Sequence, residues 1–435
     1  MSSAAGPLSI SGTLVERKTG QGQGFFWLGL LALSYIGVYL CRKNLAVAAP
    51  LLREEWGLSK EAVGMVASIS TLVYALGKIA LGPVVDRLGG KAGLMWSMIL
   101  VAVFGALGSL APGLILLTIA YSTNRLAGAA SWGSMVKLVP GWFAKASLPL
   151  ALGVLSLSYV FGGAIGTGVA GLIARVTNDN WRLVLGLPSV LLVILTIVAW
   201  LALPRQAQTR ASKSTLAETP TVTRKREFLA LWRDREFVII CALSFALTFV
   251  RETFGFWTVD YFRTEGGAGI STAMAAFLSM PFDICGALGI LAVGWGFGVV
   301  PPKARGWLLS LILCALALVL LGLPLAAKGG TTAAAVAVGA VGFLACGPYS
   351  LLAGVLAVGV RGAEKAATVA GWVDGVGYAA GVLSGAFFGR LLTWGGYPLG
   401  FQVMAGLTLV GAIICLFLGK GEGFRRPTAA TSEVL

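Results

Sequence analysis

Apolar residues recur along this chain in runs separated by short breaks of charge, glycine or proline. The runs cover residues 25–49, 61–83, 93–111, 113–138, 148–174 and 183–203, and resume over 236–262, 271–298, 306–326, 331–359, 366–389 and 397–418. A helix needs about 20 apolar residues to cross the ~30 Å hydrocarbon core of a bilayer, so each run predicts one crossing. The pattern therefore predicts an all-α polytopic membrane protein of twelve transmembrane helices. Only Ala111-Pro112-Gly113 parts the third run from the fourth, which predicts a tight turn. The longest polar interruption, Pro204 to Arg235, holds eight basic residues among Ser, Thr and Pro. It divides the chain into a tail at 1–24, a six-helix bundle at 25–203, a central loop at 204–235, a second six-helix bundle at 236–418 and a tail at 419–435. The first tail is rich in Ser and Gly, and the run after it is too long for the core of a cleavable signal.

Composition agrees with the pattern and excludes other classes. The 435 residues are 57% hydrophobic and 12% charged, whereas soluble domains are about a quarter charged. A soluble enzyme, a nucleic-acid-binding domain and a disordered scaffold are excluded on that ground. The net charge of +15 is that of a membrane protein with basic cytoplasmic loops. With both termini and the central loop on one side, that side carries about 20 Lys and Arg, the opposite loops about 7 and the spans about 6. This asymmetry predicts a cell-membrane protein with both termini cytoplasmic. The six cysteines all lie in apolar runs without a Cys-x-x-Cys pair, so neither a disulfide framework nor a metal site is expected. No nucleophile, metal cluster or base dyad emerges, so neither catalysis nor a cofactor is expected. The chain has no histidine, which leaves carboxylates, or the cargo's own ionisation, for any proton-coupled step.

Glycine is abundant, with 60 residues, mostly within the runs, where small residues let helices approach closely. Between the second and third runs the chain reads Gly82-Pro83-Val84-Val85-Asp86-Arg87-Leu88-Gly89-Gly90-Lys91. This resembles the Gly-x-x-x-Asp-Arg-x-Gly-(Arg/Gly)-Lys signature loop of the major facilitator superfamily. Asp86 is expected to accept hydrogen bonds from helix N-termini, or from an arginine across the two halves, and so to latch one conformation. The matching stretch after the eighth run, Gly294-Trp295-Gly296-Phe297-Gly298, lacks the Asp-Arg pair.

Six basic residues fall within the runs: Arg42, Lys43, Lys78, Arg125, Lys137 and Arg251. A charge at membrane depth costs several kcal/mol unless it meets a wet cavity or a partner. Arg42 and Arg251 lie near the middles of the first and seventh runs, where a two-copy architecture places equivalent residues. Facing one cavity they would clamp a phosphate or carboxylate; the alternative is that each pairs with a buried acid such as Glu252 or Asp283. Tyr35, Tyr39 and Arg42 share a helical face, and Tyr74 and Lys78 repeat the i, i+4 spacing. Lys43, about 100° round the helix from Arg42, is a further candidate for binding substrate or, instead, for supporting a neighbouring helix, while Arg125 and Lys137 have weaker claims, since residues near span ends can snorkel. Glu252, Asp260, Asp283 and Asp374 are acids that fall in or near runs. They serve either as proton carriers or as switching ion pairs.

Together, Tyr35-x3-Tyr39-x2-Arg42-Lys43-Asn44, Tyr74-x3-Lys78 and the Asp86-Arg87 loop closely resemble the organophosphate:phosphate antiporter family. Gly342-Phe343-x3-Gly347-Pro348 and the glycines from Gly371 to Gly381 extend the similarity, which covers about residues 25 to 418. The resemblance implies the fold of two pseudo-symmetric six-helix bundles and a rocker-switch exchanger. Such an exchanger acts as a monomer in the lipid bilayer and swaps a small phosphorylated organic anion for inorganic phosphate. It further implies that Arg42 and Arg251 bind the phosphoryl group, with Lys78, Tyr35, Tyr39 and Tyr74 flanking it and Asp283 an acidic position on the eighth helix. Tyr159 stands where glycerol-3-phosphate members have a site histidine, and Glu252 and Asp374 depart from the family pattern. Proton-coupled symport of a carboxylate and a sugar-phosphate sensor are the alternatives.

Overall fold

The computed structural model describes residues 21–143, 147–204, 231–265, 269–352, 356, 360 and 366–418. Both expected tails (beyond residues 21–24), most of the central loop and the end of the tenth run lie outside them. The described residues are helical throughout, without strands. The first half comprises α1 (Gln21–Trp56), α2 (Lys60–Leu88), α3 (Gly90–Ser109), α4 (Leu114–Leu138), α5 (Leu148–Val176) and α6 (Trp181–Ala202). The second comprises α7 (Arg235–Glu265), α8 (Thr272–Val299), α9 (Arg305–Lys328), α10 (Thr331–Leu351), α11 (Ala366–Leu383) and α12 (Ala386–Cys415).

Local chemistry starts these helices where they start. Ser59, Asn180 and Ser271 cap α2, α6 and α8 by accepting from main-chain N–H groups of the first turn. Asp234 does the same ahead of α7, accepting from the Glu236 N–H at 3.0 Å. Large apolar side chains such as Ile115, Leu311 and Leu318 lie exposed on the outer surface, the arrangement a lipid solvent requires. Among the described residues, ten helices are long and apolar enough to cross a membrane. α4 is not among them, because its buried face carries Asn124, Arg125, Ser131 and Ser134.

Packing repeats with a shift of six helices. α1 packs on α5 as α7 packs on α11; α2 on α4 as α8 on α10; α3 on α4 and α6 as α9 on α10 and α12. The halves meet through α5 against α8, α1 against α7, and α2 against α11 and α12.

Three boundaries differ from the apolar runs. α1 continues past residue 49 to Trp56, carrying Pro50, Arg53, Glu54 and Glu55. At ~1.5 Å per residue it is far longer than the hydrocarbon core, so its charged end stands clear of the lipid. The helix expected over 366–389 breaks at Ser384 and Gly385. α12 leaves helical geometry at Gly395 and Gly396, where φ reaches 65°. A Cβ on Gly400 would lie 2.6 Å from the Phe388 ring, whereas a straight helix separates such residues by ~18 Å. α12 is thus a hairpin, its first arm completing the eleventh crossing and its second forming the twelfth.

Candidate functional site

The contacts that join the halves cluster toward the end of α1 that lies away from the chain termini. Arg53 of α1 donates to Asp260 of α7 at 2.5 Å, and Lys60 of α2 lies 3.1 Å from the same carboxylate. Tyr397 donates to Asp260 as well, at 2.7 Å. Arg263 of α7 pairs with Glu54. Next to this cluster the backbones of α2 and of the Ser384–Gly385 break touch, and a Cβ on Gly64 would lie 2.4 Å from the Gly385 carbonyl oxygen. Ser68 satisfies both sides of the break, donating to the Val382 carbonyl and accepting from the Ala386 N–H at 2.8 Å. Trp257 donates to the Ser384 carbonyl at 2.9 Å. Broken backbone is tolerated at membrane depth only where protein supplies such partners.

Beneath this closed end lies a central cavity lined from both halves. Of the residues expected at the site, Tyr39, Arg42, Lys43, Tyr159, Arg251, Glu252 and Asp283 line it. Tyr35 and Tyr74 are buried just behind, around a smaller recess shared with Arg42 and Arg125. Arg42 lies over Tyr39 and Tyr74, its guanidinium carbon 5.1 and 4.9 Å from the ring centroids. Tyr121 of α4 fixes the backbone there, donating to the Arg42 carbonyl at 2.6 Å. Lys78 lies outside the lining, its Nζ 5.0 Å from the Tyr378 ring of the other half. Tyr378 in turn meets Tyr74 edge-on at 5.6 Å.

The expected clamp between Arg42 and Arg251 is not what the cavity holds in this state. Arg251 pairs with its neighbour Glu252, Nη2 to Oε1 at 2.8 Å, and stacks over Tyr349 at 4.3 Å. Lys43 crosses the halves to Asp283 at 3.3 Å. Gly163 of α5 makes room for that carboxylate, since a Cβ there would lie 2.7 Å from it. Arg42 has no carboxylate partner among the described residues. The second guanidinium beside it is Arg125, which is 6% exposed, lines the same cavity and lies 4.6 Å over Tyr74. Arg125 is therefore no span-end residue. It sits midway along Leu114–Leu138, and that midpoint, with Tyr121 four residues before it, was the available signal. Four cations thus line the cavity against two carboxylates, and the two carboxylates are already paired.

The remaining expected residues lie elsewhere. Asp86 and Arg87 are exposed at the end of α2. Asp86 accepts from Lys137 of its own half at 2.9 Å, in place of a helix N-terminus or an arginine across the halves. Lys137 also donates to the Asp86 carbonyl, which explains its position at the end of α4. At the pseudo-equivalent place Arg305 donates to the Phe297 carbonyl at 3.1 Å and stacks over that ring. Asp374 is half-buried on α11 and is not part of the cavity lining. It lies one turn from Tyr378 on the side away from the closed end.

Residues 31–385 match the family described as the Major Facilitator Superfamily. A gallate transporter of Pseudomonas putida is 27% identical, over 93% of this chain and 94% of that protein. A glycerol-3-phosphate transporter of Bacillus subtilis is 24% identical, over 90% of this chain and 91% of that protein. Among solved structures, a bacterial homologue of the human lysosomal transporter Spinster, inward-facing and occupied, superposes with a TM-score of 0.75 at 15% identity. That match covers 90% of this chain and 95% of the other.

Proposed function

This chain belongs to the major facilitator superfamily of membrane transporters, and from that premise we propose that it carries a small organic anion across the plasma membrane by alternating access. The observation that carries the reading is the pair Arg42 and Arg125. Two guanidiniums with no carboxylate within ion-pair distance among the described residues share one tyrosine ring in a cavity between the halves. Desolvated cations left unpaired are costly, and an anionic cargo supplies the missing charge. With the basic side cytoplasmic, the closed end faces outward and the cavity is inward-open. The Asp260 and Gly64–Gly385 contacts form the gate that must part, and the protein acts as a monomer. Glu252 is the coupling carboxylate: protonated, it releases Arg251 to the cargo.

The internal pairing of Arg251 favours a carboxylate as the head group, in keeping with the gallate transporter among the relatives. Exchange of a phosphorylated metabolite for inorganic phosphate is the second reading, favoured by the presence of a third guanidinium in the same cavity. A dianionic phosphoryl group that displaced Glu252 from Arg251 would meet all three. Proteoliposomes separate the two. Carboxylate uptake driven by an inward proton gradient, and abolished by a protonophore, is expected. Uptake that instead requires internal phosphate and ignores the protonophore would establish the exchanger. Binding of the anion without uptake of any kind would point to a sensor.

A further inference from the structure

The walls of the cavity describe the body of the cargo as well as its head. The guanidiniums of Arg42 and Arg125 belong to the first half. Beside the paired Arg251, Glu252 and Asp283, the second half contributes the apolar side chains of Phe256, Phe282, Ile290 and Cys346. Phe282 is held rigidly. Its ring stacks on Phe254 at 5.5 Å with 13° between planes, and Phe254 stacks in turn on Phe401 at 6.0 Å and 23°. Phe256 is braced edge-on against Trp257 at 5.1 Å. A wall of fixed rings suits a flat apolar body, because little side-chain entropy is lost on contact and offset or edge-on ring geometry is available.

The polar inventory is compatible with such a body. Among the described residues the lining holds neither Asn nor Gln, the side chains that offer paired donors and acceptors to sugar hydroxyls. The hydroxyls of Ser70, Ser384 and Tyr121 already donate to main-chain carbonyls. Thr71, Tyr39, Tyr159 and Tyr349 also bring hydroxyls to the lining, which can meet a few polar substituents on a flat body.

We infer that the cargo is an aromatic monocarboxylate, its carboxylate on Arg42 and Arg125 and its ring against Phe256 and Phe282. This rests on the anion-transport reading above and adds the class of body. The test is isothermal titration of the full-length protein in nanodiscs with benzoate, acetate, glucuronate and inorganic phosphate. Benzoate is expected to bind at least about tenfold more tightly than acetate or glucuronate, the scale set by burying one ring. Phe256→Ala should erase that advantage while acetate binding stays as it was, and Phe256→Leu should recover part of it. Arg125→Gln should weaken both acids alike. Glucuronate or phosphate binding more tightly than benzoate, with both lost in Arg125→Gln, would overturn the aromatic inference and leave anion transport standing. Anion binding that Arg125→Gln does not change, or none at all, would overturn the reading beneath it.

Discussion

Arg42 of α1 and Arg125 of α4 share the ring of Tyr74, their guanidinium carbons 4.9 and 4.6 Å from its centroid. Like charges this close repel, and the electron-rich face of the phenol offsets part of the cost. An anionic cargo of the proposed kind would relieve the remainder. Removing one charge-assisted hydrogen bond costs about 1.5–3 kcal/mol, so Arg42→Gln and Arg125→Gln should each weaken apparent affinity by ~10- to 150-fold. Arg125→Lys should recover little, because a point charge lacks the planar fork that stacks on the ring and binds two oxygens. Initial uptake rates in proteoliposomes over a range of substrate concentrations check this. Wild-type affinity in Arg125→Gln would remove Arg125 from the site.

Glu252 is the next residue to probe, since it neutralises Arg251 and lies within Coulombic reach of Arg42, Arg125 and Lys43. Glu252→Gln keeps the shape and removes the charge. The variant is expected to exchange labelled for unlabelled cargo at near wild-type rates, because reorientation of the loaded carrier needs no proton release. Uptake against a gradient should fall to background. Counterflow and gradient-driven uptake measured on the same vesicles check both halves of the statement. Intact concentrative uptake in Glu252→Gln would assign coupling to another acid, with Asp283 and Asp374 next in line.

The gate makes a separate prediction. Asp260, with a side chain only 2% exposed, accepts from Arg53 and Tyr397 and pairs with Lys60. Arg53 and Lys60 come from the first half and Asp260 from the second, so the pairs exist only while this end is closed. Taking one partner from a buried ion pair costs about 3–5 kcal/mol, and here the cost falls on the closed state. Asp260→Asn should move the population toward the outward-open form by two orders of magnitude or more, at about 1.4 kcal/mol per tenfold. Electron–electron resonance distances between spin labels on the loops after α1 and α7 should lengthen. An unchanged distance distribution would show that the charges do not hold the gate.

How much of this was legible in the sequence depends on the range of the interaction. The crossings were legible because the lipid fixes both the length and the apolarity of each run. The turn before the last crossing was legible because the runs 366–389 and 397–418 part where Gly395 and Gly396 lie. Tyr35, Tyr39 and Arg42 share a face by helical geometry alone. What stayed hidden were relationships between helices. Lys43 finds Asp283, 240 residues away, only because the two halves pack together. Asp86 finds Lys137, fifty-one residues away, because α2 packs on α4. The break at Ser384 and Gly385 was concealed in a run whose many glycines read equally well as packing residues. It exists because Ser68 of the other half satisfies the backbone it exposes.

That break yields the last prediction. Gly64 and Gly385 bring two backbones together with no space for a methyl group: a Cβ on Gly64 would lie 2.4 Å from the Gly385 carbonyl oxygen, and one on Gly385 would lie 2.3 Å from the Gly64 oxygen. Neither clash involves a flexible side chain, so the halves must separate locally to admit either substitution. Gly64→Ala should therefore hold the outer end apart, lowering transport by at least about tenfold while substrate still binds from the outside. Ser68→Ala should act in the same direction by leaving the Val382 carbonyl and the Ala386 N–H without their partner, at about 1–3 kcal/mol. Gly371→Ala is the control, since a Cβ there meets no atom within 4 Å, and its rate should match the parent protein. Uptake rates read together with thiol labelling of a cysteine placed in the cavity separate a blocked gate from a misfolded chain. A blocked gate labels from outside and binds substrate, and a misfolded chain does neither. Wild-type transport in Gly64→Ala would show that the outer closure tolerates a gap, and that the gate is held by the Asp260 pairs alone.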